Sequence, residues 1–368
     1  MLSEPLYGRP DSAREPVLLL AAGHRIESEQ QLRRLREAGY PVAFPEEAKR
    51  LPRPSDAAAA PAAPPPSPAP ALAAEFAPEV EAATQVREAV TGAVRQLMEC
   101  ARTGAAPDLT MLLEVSDTLV AAVTAAPYVV AALTYLRQCD DYTVEHSADV
   151  AILMCGIARV LGVPEAELRT VALAGLMHDV GKQRVPPEIL LKAGTLTREE
   201  FAEMRKHPEY GFEILSACAD CPEVVRAVAL QHHERLDGSG YPSGLNRLRI
   251  QPTSQIAAVA DTFDAMVSDR VYRRGLPPRK ALLELYHSRG AALELTAVEA
   301  LVKLIGVYPV GTRVQLKSGE CGTVTAPNPE DRTHPIVRIE QDRRGRALAA
   351  PYALALRPGA NEIVRTLP

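Results

Sequence analysis

The sequence predicts a mainly α protein, in which a long helical domain is flanked by a small N-terminal α+β module and a short C-terminal β module. Three observations carry this. Apolar residues recur at three- and four-residue steps through 108–306, as in HSADVAILMCGIARVLG and ELRTVALAGLMHDVG, the spacing of helices that bury one face. A Pro/Ala run, LPRPSDAAAAPAAPPPSPAPALAA, sets this stretch apart from the residues before it. After YPVG the pattern changes to alternation around a Ser-Gly turn in TRVQLKSGECGTVTA, followed by HPIVRIE, which is strand spacing.

Taken in order, residues 1–50 mix a short apolar run at 17–20, a charged helix-like segment at 27–38 and YPVAF, and read as a small module of unknown role. Residues 51–75 form an extended, semi-rigid linker, because alternating Pro and Ala with almost no charge cannot build a core. Residues 76–107 carry an amphipathic helix, with Val86, Val90, Val94 and Leu97 at helix spacing. That stripe must be buried, against the next domain or a second copy, and the expectation is a homodimer through the 76–103 helix. Residues 108–307 form the helical domain, and 308–368 a β extension. The uncharged run at 119–136 is alanine-rich and interrupted by Pro127. It falls short of the roughly 20 apolar residues a membrane span needs, so it reads as core helix and no membrane association is expected.

Among 368 residues the formal net charge is -5. Nothing in that balance advertises the clustered basic footprint of a protein that binds a nucleic acid polymer, and none is expected; a small charged ligand remains open. The first residues lack the basic start and apolar core of a secretory signal, so the expected compartment is the cytoplasm, where disulfides are rare. Cys218 and Cys221 form a lone C-x-x-C without a second ligand pair, and read as ordinary thiols.

The chemistry concentrates in the helical domain. Of eight histidines, His146, His178, His207, His232 and His233 fall within 146–233. His178 and Asp179 end an apolar helix in LMHDVGK, where an unpaired carboxylate is costly to bury and a divalent cation would remove the cost. Imidazole with carboxylate suits zinc, iron or manganese rather than calcium, and one carboxylate can bridge two metals. Asp261 and Asp264 in AAVADTFDAM are three apart, on one helical face. Adjacent residues on a helix project about 100° apart, so His232 and His233 reach one cluster only if the helix ends there or the cluster lies between them. LDGSGYP supplies an ending, with backbone freedom closed to other residues.

HD…GK together with HHERLDGSGYP, AVADTFDAM and SDRVYRR resembles the HD-GYP family, a branch of the HD-domain metal-dependent phosphohydrolases. The resemblance covers roughly half the chain, from DDYTVEHS to YPVGTRV. It implies a helical domain holding iron or manganese that hydrolyses the bacterial second messenger cyclic di-GMP to the linear dinucleotide pGpG, and in some members on to GMP. Carried over by motif, the ligands would be His146, His178, Asp179 as bridge, His207, His232, His233 and Asp261. Lys182 would sit by the scissile phosphate, and Arg235, Gly240, Tyr241, Arg270 and Arg273 would contact substrate. Asp179, Lys182 and Asp264 are the catalytic candidates, with Asp264 orienting water or a guanine.

The chain departs from the family pattern in places. Some members carry a Glu four residues before the first His, which helps bind a third metal; here the residue is Tyr142, so two divalent ions are expected. Gln183, Arg184, Ala193, Thr195, Gln255 and Val271 reshape the rim without removing a ligand. An active phosphodiesterase is the expectation. The alternatives are a catalytically poor cyclic di-GMP receptor signalling to an unknown partner, and a phosphohydrolase of another cyclic dinucleotide or a mononucleotide.

Overall fold

The computed structural model of the protein describes residues 6–8, 17–20, 77–105, 107–135, 142–192, 194–269, 275–288, 290–328, 331, 333–359 and 361–367, and the chain divides into two units, 1–65 and 66–368. In the first unit the described part is an antiparallel strand pair, β1 (Leu6–Gly8) with β2 (Val17–Leu20). The rest of the expected N-terminal module and the Pro/Ala linker lie outside the described residues.

The second unit begins with α1 (Ala77–Thr103). Its apolar stripe is buried within its own chain: Val90, Val94 and Leu97 are at most 1% exposed. They pack in one core with α2 (Leu109–Ala125), α3 (Pro127–Tyr135) and α4 (Tyr142–Val160). The expectation placed a second copy on this face; here the same chain covers it. The apolar face that argued for a partner is already covered, and no domain boundary separates α1 from the helices after it. Asp108 caps α2 by accepting from the Met111 amide at 3.1 Å. Helices α2 and α3 meet at 110° and supply Leu119, Val123, Val129 and Val130 to the core. The uncharged run is therefore core, as far as it is described. Among the described residues no single helix is long and apolar enough to cross a membrane.

Helix α4 is buried from Ser147 to Ala158, as expected of a helix apolar on every side, and α5 (Glu165–Met177) lies along it. One polar link fastens α1 to α4. Arg87 donates to Asp149 Oδ1 at 3.1 Å and to Glu145 Oε2 at 2.8 Å, and Asp149 is fully buried. Burial works against the guanidinium charge, but the two carboxylates outweigh it and raise the Arg87 pKa above its usual value.

After α5 come a 3₁₀ turn (Val180–Arg184), α6 (Pro187–Leu190), α7 (Arg198–Met204), α8 (His207–Ser216) and α9 (Glu223–Gln231). Thr197 and Glu200 form a reciprocal capping box on α7, which satisfies two otherwise orphaned amides. Helix α10 (Pro252–Val267) returns to α4, followed by α11 (Pro278–Ser288) and α12 (Leu295–Ile305). The C-terminal module is a five-stranded antiparallel sheet rather than a hairpin alone. Its strands are β3 (Arg313–Leu316), β4 (Cys321–Ala326), β5 (Ile336–Gln341), β6 (Ala347–Ala355) and β7 (Ile363–Thr366), ordered β6-β5-β4-β3-β7. Its own small core contains Val314, Leu316, Val324, Val337, Ile339 and Leu356.

Leu97 tests the assignment of α1 to the domain core. Leu97→Ala is expected to lower unfolding free energy by about 2–5 kcal/mol in a urea titration. The sedimentation mass is expected to stay that of the wild type.

Candidate metal centre

Each histidine of the cluster stands where a helix starts or stops, or in the wall of α4. Helix α5 ends at Met177, so His178 and Asp179 turn inward from its C-terminus. His207 is the first residue of α8. Helix α9 stops at Gln231, which lets both neighbours face one centre: the His232 and His233 rings are 4.2 Å apart by centroid. Gly181 permits the approach of the 3₁₀ turn to α8, since a Cβ there would run into the His207 carbonyl and the Gly211 amide.

Three of the rings are tethered through Nδ1 to main-chain carbonyls one turn back. His178 Nδ1 lies 2.7 Å from Gly175 O, His207 Nδ1 2.8 Å from Met204 O, and His232 Nδ1 3.0 Å from Ala229 O. A carbonyl only accepts, so Nδ1 donates and the Nε2 lone pair of the neutral ring points inward. This is the usual preparation of a metal-binding imidazole. His146 is held differently, with Nδ1 2.7 Å from Asp264 Oδ2, and Ser268 Oγ donates to the same oxygen at 3.2 Å. The carboxylate of Asp264 is fully buried behind the ring. The expectation that it faces water or a guanine does not fit this placement; it steadies an imidazole instead.

The two inward carboxylates lie between the rings. Asp179 Oδ2 is 3.5 Å from His146 Nε2 and 3.4 Å from His178 Nε2, while its Oδ1 is 3.3 Å from His207 Nε2 and 3.6 Å from His232 Nε2. Asp261 Oδ1 is 3.2 Å from His146 Nε2, and its Oδ2 is 3.6 Å from His233 Nδ1. Each aspartate thus turns one oxygen to each of two ligand sets. His146, His178 and Asp179 form one set, and His207, His232 and His233 the other, with the ligand atoms of each within 4.8 Å of one another.

The charges are strongly perturbed. Burial alone would raise the Asp179 carboxyl, but Lys182 and His178 hold it well below the usual range. Burial would likewise raise Asp261, which His146 and His233 hold low. Burial lowers His146, yet Asp261 and Asp264 outweigh it and raise it to about 9. Burial takes His232 down to about 4 despite Asp179, and takes His233 well below its ordinary value, helped by His232.

The donor set fits divalent cations. His178 Nε2 and Asp179 Oδ1 are buried without a hydrogen-bond partner, a costly state for a protein left to itself. His207 Nε2 and His232 Nε2 face each other at 3.2 Å with their Nδ1 protons already committed, so a shared proton or a cation must lie between them. Nitrogen and carboxylate donors suit iron, manganese or zinc. The second layer that such ligands need is present in Gly175, Met204, Ala229 and Asp264.

At the rim, Lys182 Nζ contacts Asp179 Oδ2. Tyr241 stacks on His233, with ring centroids 4.7 Å apart at 28°. Gly240 is packed against the His-His-Glu turn, where a Cβ would meet the Arg235 amide and Glu234. Arg235 is turned to main chain, 3.2 Å from His232 O and 2.9 Å from Glu234 O, which braces the turn and commits part of its donor set. Arg270 and Arg273 lie outside the described residues. Sequence reasoning missed Glu234. It is buried, and its carboxylate accepts from the Ser243 and Leu245 amides at 2.7 and 2.8 Å, clamping the Gly-Tyr-Pro loop. An acid next to two candidate ligands in an eleven-residue motif was the available signal. It also missed Arg205, whose Cζ lies 4.6 Å from the Tyr241 ring centroid; nothing in its sequence setting marks it.

Comparison with known proteins gives consistent results. A family model described as an HD domain matches residues 112–293. The chain is 35% identical over 321 residues to cyclic di-GMP phosphodiesterase PA4108 of Pseudomonas aeruginosa, spanning 86% of this chain and 77% of that one. It is 37% identical over 159 residues to 3'3'-cGAMP-specific phosphodiesterase 2 of Vibrio cholerae, spanning 43% of this chain and 30% of that one. Among solved structures, the HDG"Y"P protein Bd1817 from Bdellovibrio bacteriovorus matches in fold, with a TM-score of 0.52 at 16% identity, covering 83% of this chain and 95% of that one.

Chelation tests the donor set directly. Dialysis against a chelator is expected to lower the thermal midpoint, and Mn²⁺ at a hundredfold its Kd to restore about 2.7 kcal/mol. His178→Ala is expected to lose most of that Mn²⁺-dependent gain.

Proposed function

The chain belongs to the HD-GYP family of HD-domain metal-dependent phosphodiesterases, and from that premise we propose that it hydrolyses cyclic di-GMP to linear pGpG at a centre of two divalent metals, iron or manganese. Cyclic dinucleotide hydrolysis is the activity its relatives are named for. The observation that carries the finer reading is the placement of Asp179, with one oxygen turned to His146 and His178 and the other to His207 and His232.

His146, His178, Asp179 and Asp261 would hold one ion. His207, His232, His233 and the other oxygen of Asp179 would hold the second. Divalent ions bound there would supply Lewis acidity, lowering the pKa of water toward neutrality and offsetting charge on the phosphoryl group. The chain's own part is orientation and charge. Asp264 fixes the ring plane of His146, and the carbonyls behind His178, His207 and His232 keep each Nε2 lone pair facing inward. Lys182, half-buried beside Asp179, places an ammonium where a phosphate oxygen gathers negative charge during in-line attack. Glu234 holds the loop that carries Tyr241 over the centre, narrowing the mouth. Arg270 and Arg273 remain candidates for phosphate contacts.

The 3'3'-cGAMP-specific relatives favour one second reading, in which the substrate is the mixed guanine-adenine dinucleotide. Product chromatography decides between them. The full chain, purified without chelator under low oxygen and supplied with Mn²⁺ or Fe²⁺, is expected to convert cyclic di-GMP to pGpG. A His178→Ala/Asp179→Ala variant is expected to lose at least about a thousandfold, since removing metal ligands removes the main source of rate. Metal analysis is expected to give two ions per chain; three would refute that part of the reading. Tight binding of cyclic di-GMP without product under either metal would make the protein a receptor, and faster turnover of 3'3'-cGAMP would reassign the substrate.

A further inference from the structure

We propose that Arg205 is a guanine-recognition residue, reading the O6/N7 edge of one base while the phosphate beside it sits at the metal centre. The inference rests on the substrate being a cyclic dinucleotide that contains guanine. It begins with where the positive charges near the centre are committed. Lys182 contacts Asp179. Arg235 bonds the carbonyls of His232 and Glu234. Lys206, the neighbour of Arg205, pairs with Glu203 at 2.6 Å, and Arg184 pairs with Glu213 at 2.6 Å. Among the described residues Arg205 makes no ion pair, although it stands two positions before the cluster residue His207.

Its position is nevertheless defined. Arg205 lies just past the end of α7 and is exposed, with its guanidinium carbon 4.6 Å from the Tyr241 ring centroid. Tyr241 is itself stacked on His233 and fixed by the loop that Glu234 clamps. A cation–π contact of this kind orients a guanidinium at little entropic cost. The residue therefore combines three properties: proximity to a cluster histidine through one aromatic ring, exposure to solvent, and donors that no described carboxylate takes.

The chemistry of a guanidinium selects the ligand group. It presents N–H donors in one plane and no acceptor. Guanine offers two acceptors, O6 and N7, on one edge, whereas adenine offers N7 beside an amino donor. A planar fork therefore accepts guanine and opposes adenine. Stacking on Tyr241 leaves the edge of the fork, rather than its face, open to such a base.

The test measures kcat and KM on cyclic di-GMP, 3'3'-cGAMP and cyclic di-AMP with the Mn²⁺-loaded full chain. Wild type, Arg205→Ala and Arg205→Lys are compared, after checking that metal content and thermal midpoint match. For Arg205→Ala, KM is expected to rise about tenfold or more on the two guanine-containing ligands and about twofold or less on cyclic di-AMP, the scale of one lost bidentate base contact. The effect on kcat is expected to be the smaller one, and Arg205→Lys is expected to recover part of the loss. Equal loss on all three ligands would make Arg205 a phosphate contact and overturn the proposal, as would no loss on any. If the wild type turns over none of the three, the phosphodiesterase reading fails separately. Calorimetric affinities of the same three ligands then decide Arg205 by the same ratios, and an unchanged guanine preference, or no binding, overturns it.

Discussion

The helical domain is arranged around one buried carboxylate. Asp179 is 1% exposed and lies within 3.6 Å of four imidazole nitrogens. An isolated ionised carboxylate in that position would cost several kcal/mol even after relaxation. Lys182 and the rings keep it charged, yet its Oδ1 and His178 Nε2 remain unsatisfied by hydrogen bonds. The helices converge on a point where buried donors lack partners, a deficit that divalent ions would answer.

The architecture follows from this requirement. The candidate ligands come from α4, the end of α5, the start of α8, the end of α9 and α10, so the cluster exists only while these elements hold register. Helix α4 is buried through most of its length, and fixes His146 by packing, while α10 meets it from the other side with Asp261 and Asp264. Helix α1 adds its apolar stripe and the Arg87 link to Asp149, one turn beyond His146. The segment before the resemblance begins is thereby part of the same core and borders the helix that carries a ligand.

Around the centre, several polar groups act on other protein groups. Asp264 holds His146, Glu234 holds the loop of Tyr241, and Arg235 braces the turn after α9. Buried groups that satisfy one another in this way rigidify a site. Lys182, Tyr241 and Arg205 stand beside this braced cluster, through contacts to Asp179, His233 and Tyr241 respectively.

Much of this was legible in the sequence. The helical period of 108–306, the alternation after 308 and the shift in composition at the Pro/Ala run each reflect a local constraint, burial of one face or inability to bury any, which residue order expresses directly. The histidines and aspartates were legible because such residues are costly in apolar surroundings. The Asp-Gly-Ser-Gly run announced the helix end that lets His232 and His233 converge. Three things were decided only by tertiary structure. Whether the stripe of α1 meets its own domain or another copy depends on distant helices, since periodicity reports that a face is buried and not against what. The role of Asp264 depends on which side of His146 it occupies, and helical spacing placed it with Asp261 without showing that a ring stands between it and the mouth. The setting of Arg205 arises from a loop more than thirty residues away, brought over the guanidinium by the carboxylate of Glu234. Local sequence carries the chemistry each residue can perform, whereas long-range packing settles which partner it performs it on.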